Sequence, residues 1–197
     1  MQDYSSSLGQ QTRSCNNMPK IDTLHPLLKS KYLKLELLAM ERFGIRIGMT
    51  QALRTEAVQY AYWCKGRFEL AEVNAAMKAA GLYYITEKEN RIVTKAKSAA
   101  TTFHGYGMAF YIVIIDSDGK TWVWDNGADT NEDGITDWDQ VGSLADECGL
   151  EWGGNFTSIS DKPHFQDRMG WTIAKLREHK IPSGMVFAEA GFLPKEA

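Results

Sequence analysis

Apolar side chains recur at helical spacing through "DTLHPLLKSKYLKLELLAMERFG", where Leu27, Leu28, Tyr32, Leu35, Leu38 and Met40 fall near every third or fourth place. Asp22 or Thr23 can cap such a helix, Pro26 suits its first turn, and Gly44 ends it. "IRIGMTQAL" then alternates apolar and polar positions and reads as a strand. Helical spacing returns over residues 54–67, "RTEAVQYAYWCKGR", and over 71–81, "AEVNAAMKAAG", closed by Gly81. The polar run "YYITEKENRIVTKAKSAATT" has neither period and predicts a surface loop. "MAFYIVIID", residues 108–116, is the strongest strand, and "SDGK" turns it into "TWVWD" as a hairpin. A helix over "DWDQVGSLADECGL", a short strand over "DKPHFQDR" and a last helix over "GWTIAKLREHK" complete the pattern. Together they predict an α+β fold, a small antiparallel sheet with helices packed against it.

Composition narrows the class without naming a function. The chain has 197 residues, 44% hydrophobic and 24% charged, ordinary values for one globular domain. Residues 1–20 hold little to bury and read as a flexible arm, leaving 21–197 as a single domain. A net charge of -3 offers no electrostatic reason to expect nucleic acid as partner. No run approaches the roughly 18 apolar residues that a membrane span needs. The first twenty residues lack an apolar h-region, which predicts a cytoplasmic chain, expected to be monomeric. Cys15, Cys64 and Cys148 are odd in number and far apart, against a disulfide framework or cysteine-held zinc.

Chemistry concentrates in two segments, "TTFHGYGMAFY" and "SDKPHFQ", which carry His104 and His164. Neutral imidazoles with a carboxylate, and one position left for water, are the donors of catalytic zinc. Asp161, three residues before His164, is a natural general base. Spacing alone is a weak signal, because two histidines sixty residues apart are more often ordinary surface or hydrogen-bonded groups.

The wording of these segments is more specific. "FHGYGMAFY" resembles the S-x-H-x-x-G-x-A-x-D signature of the VanY-like zinc peptidases, the D-Ala-D-Ala carboxypeptidase and L-alanyl-D-glutamate endopeptidase family. "EWGGNFTSISDKPHFQ" resembles that family's W-G-G segment leading into D-x-P-H-F, and "RTEAVQ" its R-[ST]-x-x-x-Q helix. "RIVTKAKSAATTFH" is similar to its lead-in to the first histidine, and "IDTLHPLLKSKYLKLE" to the opening helix of phage endolysins of this type. The resemblance covers about residues 21 to 170, with the motifs in order.

It implies zinc on His104 and His164, Asp161 as general base, and Arg54, Gln59 and Thr102 on the substrate side. Arg54 would grip a substrate carboxylate with its planar fork, and Gln59 would hydrogen-bond peptide or oxyanion. Thr102 keeps the hydroxyl of the family's serine. The implied substrate is the stem peptide of bacterial peptidoglycan, cut at L-Ala–D-Glu as by an endolysin that waits in the host cytoplasm, or at D-Ala–D-Ala.

Position 111 departs from the pattern, with Tyr111 where the family has a zinc-binding Asp. Three arrangements are open: the phenol ligates zinc, water fills the vacancy, or the protein binds peptidoglycan without cutting it. Asp116 is no substitute, since five strand residues carry it roughly 16 Å away.

A second ion site is suggested by "DTNEDGITDWDQ", residues 129–140, which fits D-x-[DN]-x-[DN]-G. Asp129, Asn131, Asp133, the carbonyl of Ile135, and Asp137 are the expected calcium donors, with Gln140 in place of the bidentate glutamate. The amide gives one oxygen and no charge, so weak Ca2+ binding is expected.

Overall fold

The computed structural model describes residues 21–157 and 160–186. The 1–20 arm, Cys15 among it, lies outside the described residues. Helix α1, Pro26–Phe43, begins with Pro26 at its first position and ends at Gly44, whose φ of 70° relays two backbone hydrogen bonds. Its cap is neither Asp22 nor Thr23. His25 takes that place, Nδ1 accepting from Leu27 N at 3.2 Å, because Ile21–Thr23 forms a separate 3-10 turn. Strand β1 follows as Arg46–Gln51. Next come α2, Glu56–Cys64, capped by Thr55, and α3, Leu70–Ala79.

The polar run that follows is loop with short 3-10 turns at Glu87–Glu89 and Ala99–Thr101. A further 3-10 turn, Phe103–Tyr106, carries His104 into strand β2, Ala109–Ile115. The predicted hairpin forms: β3, Trp122–Val123, pairs with Ile114 and Ile115. The single helix expected over residues 137–150 is two pieces, α4 at Asp137–Ser143 and a 3-10 turn at Asp146–Cys148. Strand β4, Glu151–Trp152, was not anticipated; β5, His164–Gln166, and α5, Ile173–Glu178, were.

All five strands pair antiparallel, in the order β1-β2-β5-β4, with β3 on the far half of β2. This is the α+β architecture that the hydrophobic pattern predicts. One face of the sheet, through Ile47, Met49, Phe110, Ile112, Ile114 and Phe165, packs on Leu28, Tyr32, Leu35 and Ala39 of α1. Each large apolar side chain removed from water there contributes roughly 1.5–3 kcal/mol. Because side chains alternate along a strand, Tyr111 falls on the opposite face from Phe110 and Ile112. His164 faces Tyr111 across the β2–β5 ladder. A core on one face therefore leaves the other to the site.

Candidate active site

His104 is placed by the segment that leaves β1. Arg54 N donates to His104 O at 2.9 Å, and the ring Nδ1 lies 3.1 Å from Ala52 O. A carbonyl only accepts, so Nδ1 carries the proton and Nε2 the lone pair. That Nε2 is buried without a hydrogen-bond partner. Gly105 lets the turn close, because a Cβ there would overlap Ala99 O. Thr102 caps the same turn: its hydroxyl accepts from Gly105 N at 3.2 Å and donates to Ala99 O at 3.1 Å.

His164 comes from β5, after a turn in which Asp161 O accepts from His164 N at 3.0 Å. Gly153 makes that turn possible, since a Cβ at position 153 would overlap Asp161 O and lie 2.8 Å from His164 Cβ. Trp152 braces it from the side by donating Nε1–H to Lys162 O at 2.8 Å. The two imidazoles come together with ring centroids 5.2 Å apart. Burial holds both below the usual imidazole range; at His104 the neighbouring Arg54 and His164 add to this, and at His164 Gln166 and Asp161 oppose it. Both are neutral near pH 7, the form a metal requires.

Tyr111 completes the cluster. Its ring stacks on His104 at 4.8 Å and 9° and meets His164 edge-on at 5.3 Å. Its hydroxyl donates to Asp161 Oδ2 at 2.8 Å. Burial first, and the Asp161 charge second, raise the phenol above its ordinary value, so it is protonated at neutral pH.

Arg54 is buried beside this group, its guanidinium 5.2 Å from the Tyr62 ring and 5.8 Å from that of Tyr111. Burial weighs against its charge and the two tyrosines favour it. Nη1 donates to Gln59 Oε1 at 2.8 Å and Nη2 to Gln51 Oε1, while Nε is buried without a hydrogen-bond partner. Gln59 is fully buried, and its amide nitrogen donates to Ala96 O at 2.5 Å. Gln59 thus forms a bracket that orients Arg54 and ties α2 to residues 94–96.

The donor set fits a divalent metal held by two imidazoles, with His104 Nε2 as the buried lone pair that nothing else uses. It does not fit two imidazoles plus a third anionic side chain. Among the described residues no group of three or more His, Cys, Asp or Glu side chains is placed to share an ion, and the Tyr111 phenol is engaged with Asp161. The 129–140 loop shows a similar contrast. Asp133 Oδ2 accepts from Gln140 Nε2 at 2.5 Å and Asn131 Nδ2 at 3.3 Å. Asp129 caps the backbone of Asp133 and Gly134, and buried Asp137 accepts from Thr130 N. Ile135 is exposed, and its N–H donates to Asp133 Oδ1 at 2.9 Å. The loop closes on its own N–H groups rather than on converging oxygens.

Two buried imidazoles thus meet beside one carboxylate at the junction of two antiparallel strands. Residues 95–167 match the family described as D-alanyl-D-alanine carboxypeptidase, in line with the motifs that resemble it. A similar curated protein is the peptidoglycan L-alanyl-D-glutamate endopeptidase CwlK of Bacillus subtilis (strain 168). It is 29% identical over 150 residues, 76% of this chain and 77% of that protein. A similar solved structure is the crystal structure of the Serratia marcescens L-Ala D-Glu endopeptidase ChiX. It is 21% identical with a TM-score of 0.41, covering 81% of this chain and 86% of that one.

Proposed function

We propose that this chain is a zinc-dependent peptidoglycan peptidase that hydrolyses stem peptides, with the L-Ala–D-Glu bond as its target. The observation that carries the reading is the pair of neutral imidazoles, one with a buried unused Nε2, set beside Asp161. The specificity is taken from the activity named for the similar Bacillus protein. His104 and His164 would hold the zinc, which when bound supplies Lewis acidity to a carbonyl and makes water easier to deprotonate.

The remaining chemistry belongs to the chain's own residues. Asp161 accepts the proton of the attacking water and returns it to the leaving amine. Tyr111 donates to one carboxylate oxygen, which orients the group. Arg54, fixed by Gln51 and Gln59, places a positive charge behind the two rings. Calcium at 129–140 belongs to the same reading in a weak form, since an ion would displace the Asn131 and Gln140 amides from Asp133.

Zinc titration by calorimetry, followed by turbidity loss of purified peptidoglycan, tests the proposal. One zinc per chain together with zinc-dependent clearing is expected. Mass spectrometry of the released muropeptides distinguishes new D-Glu amino termini from loss of terminal D-Ala, the mark of a carboxypeptidase. The Tyr111–Asp161 hydrogen bond favours one other reading, a peptidoglycan-binding protein that does not cut. Co-sedimentation with sacculi, without clearing at saturating zinc, would establish it.

A further inference from the structure

Residues 164 and 166 of β5 share one face, because side chains alternate along a strand. The antiparallel register sets Glu151 of β4 directly opposite Gln166. Three side chains are thereby lined up, and their hydrogen bonds have only one consistent direction. Gln166 Nε2 donates to Glu151 Oε2 at 2.9 Å, and a carboxylate can only accept. The amide oxygen must then face the other way, where it lies 3.0 Å from His164 Nε2. An amide oxygen also only accepts, so His164 carries its proton on Nε2. Flipping the amide would set its oxygen against the Glu151 carboxylate, a repulsive contact. Glu151 is itself held, its second oxygen accepting from Arg168 Nε at 2.6 Å.

We propose that Gln166, oriented by Glu151, is a positioning residue that fixes His164 in the Nε2–H tautomer and commits Nδ1 to a metal shared with His104. The inference rests on the metal-site reading above and adds a specific device to it. The two rings are set in opposite senses: the Ala52 carbonyl leaves His104 with Nε2 free, and the Gln166 amide leaves His164 with Nδ1 free. Without such a setting a neutral imidazole populates both tautomers, and part of the population would offer the metal a proton instead of a lone pair.

The test uses the full chain labelled with 15N at histidine, metal-free at pH 7.5, and long-range 1H–15N correlations. His164 is expected to show the Nε2–H pattern in the wild type. In Gln166→Met, close in volume and unable to accept, the pattern should become mixed or shift to Nδ1–H. Zinc Kd should rise about 10–100-fold in Gln166→Met, as for lost outer-sphere partners generally. If Gln166→Met does not fold, Glu151→Leu, which frees the amide to flip, gives the same readout. An unchanged Nε2–H pattern in these variants overturns the inference. A changed tautomer with unchanged zinc Kd overturns its metal half. Relay-dependent tautomers in a wild type that binds no zinc would sustain the relay and sink the metal reading, so the two failures are distinguishable.

Discussion

At the scale of single residues, Tyr111 decides how strongly the site can hold an ion. Its hydroxyl is committed to Asp161 at 2.8 Å, and a protonated phenol brings no charge to a cation. Tyr111→Asp should therefore tighten zinc by at least about tenfold, equivalent to roughly 1.4 kcal/mol, as read by competition with a chromogenic chelator. Unchanged affinity would show that the Tyr111 position does not face the ion. Tyr111→Phe keeps the stack on His104 and removes only the hydrogen bond, at a cost of about 1 kcal/mol in stability. If the phenol restrains Asp161, hydrolysis should rise in Tyr111→Phe; if it orients Asp161, hydrolysis should fall. That His104, His164 and Asp161 come close together was legible because the motifs carry them in order. The local bonds of Gln59 and Thr102 were not, since a glutamine that brackets an arginine and a threonine that caps a turn have no pattern of their own in sequence.

At the scale of elements, the approach to His104 is fastened by one carboxylate on α2. Glu56 accepts from Ser98 Oγ at 3.0 Å, Ala99 N at 3.0 Å, Ala100 N at 3.1 Å and Ser183 Oγ at 3.2 Å. Burial pushes this carboxyl up, but the hydrogen bonds outweigh it and hold the group below the ordinary glutamate range. Glu56→Ala should cost about 1 kcal/mol, since solvent screens an exposed carboxylate, measured by urea unfolding at pH 7. A depressed folded value means that this stabilisation is present above the unfolded pKa and lost as pH falls through the folded one, so the difference from Glu56→Ala should shrink in acid. Gly153→Ala should destabilise by about 1–3 kcal/mol through overpacking against the Asp161–His164 turn, and loosen zinc as well. Long periodic elements such as α1 and β2 were legible. The two-residue β4 is too short to show alternation, and the helix expected over residues 137–150 stops at Ser143, one residue after Gly142, where a Cβ would overlap the Trp152 ring of β4.

At the scale of the whole molecule, three of the four histidines are taken out of water. His25, His104 and His164 are all buried, and burial is the largest cause holding each below the ordinary imidazole value. An unfolded chain binds protons at these rings from about pH 6.5 downward, whereas the folded chain refuses them until lower pH. Stability is therefore fully present above about pH 6.5 and falls as pH descends, by about 1.4 kcal/mol per pH unit for each proton refused. Most carboxylates titrate below this range, which leaves the window between about pH 5 and 6.5 largely to the histidines. Thermal unfolding of the metal-free chain from pH 8 to pH 5 should show a plateau and then a drop, with a shallower drop in His104→Gln. Saturating zinc should raise the plateau, by about 2.7 kcal/mol at a hundredfold excess over Kd. It should also steepen the acid limb, because protons and the ion compete for the same lone pairs. A melting temperature flat from pH 8 to pH 5 would mean that the imidazoles are hydrated in solution, and the paired-histidine site would lose its physical basis.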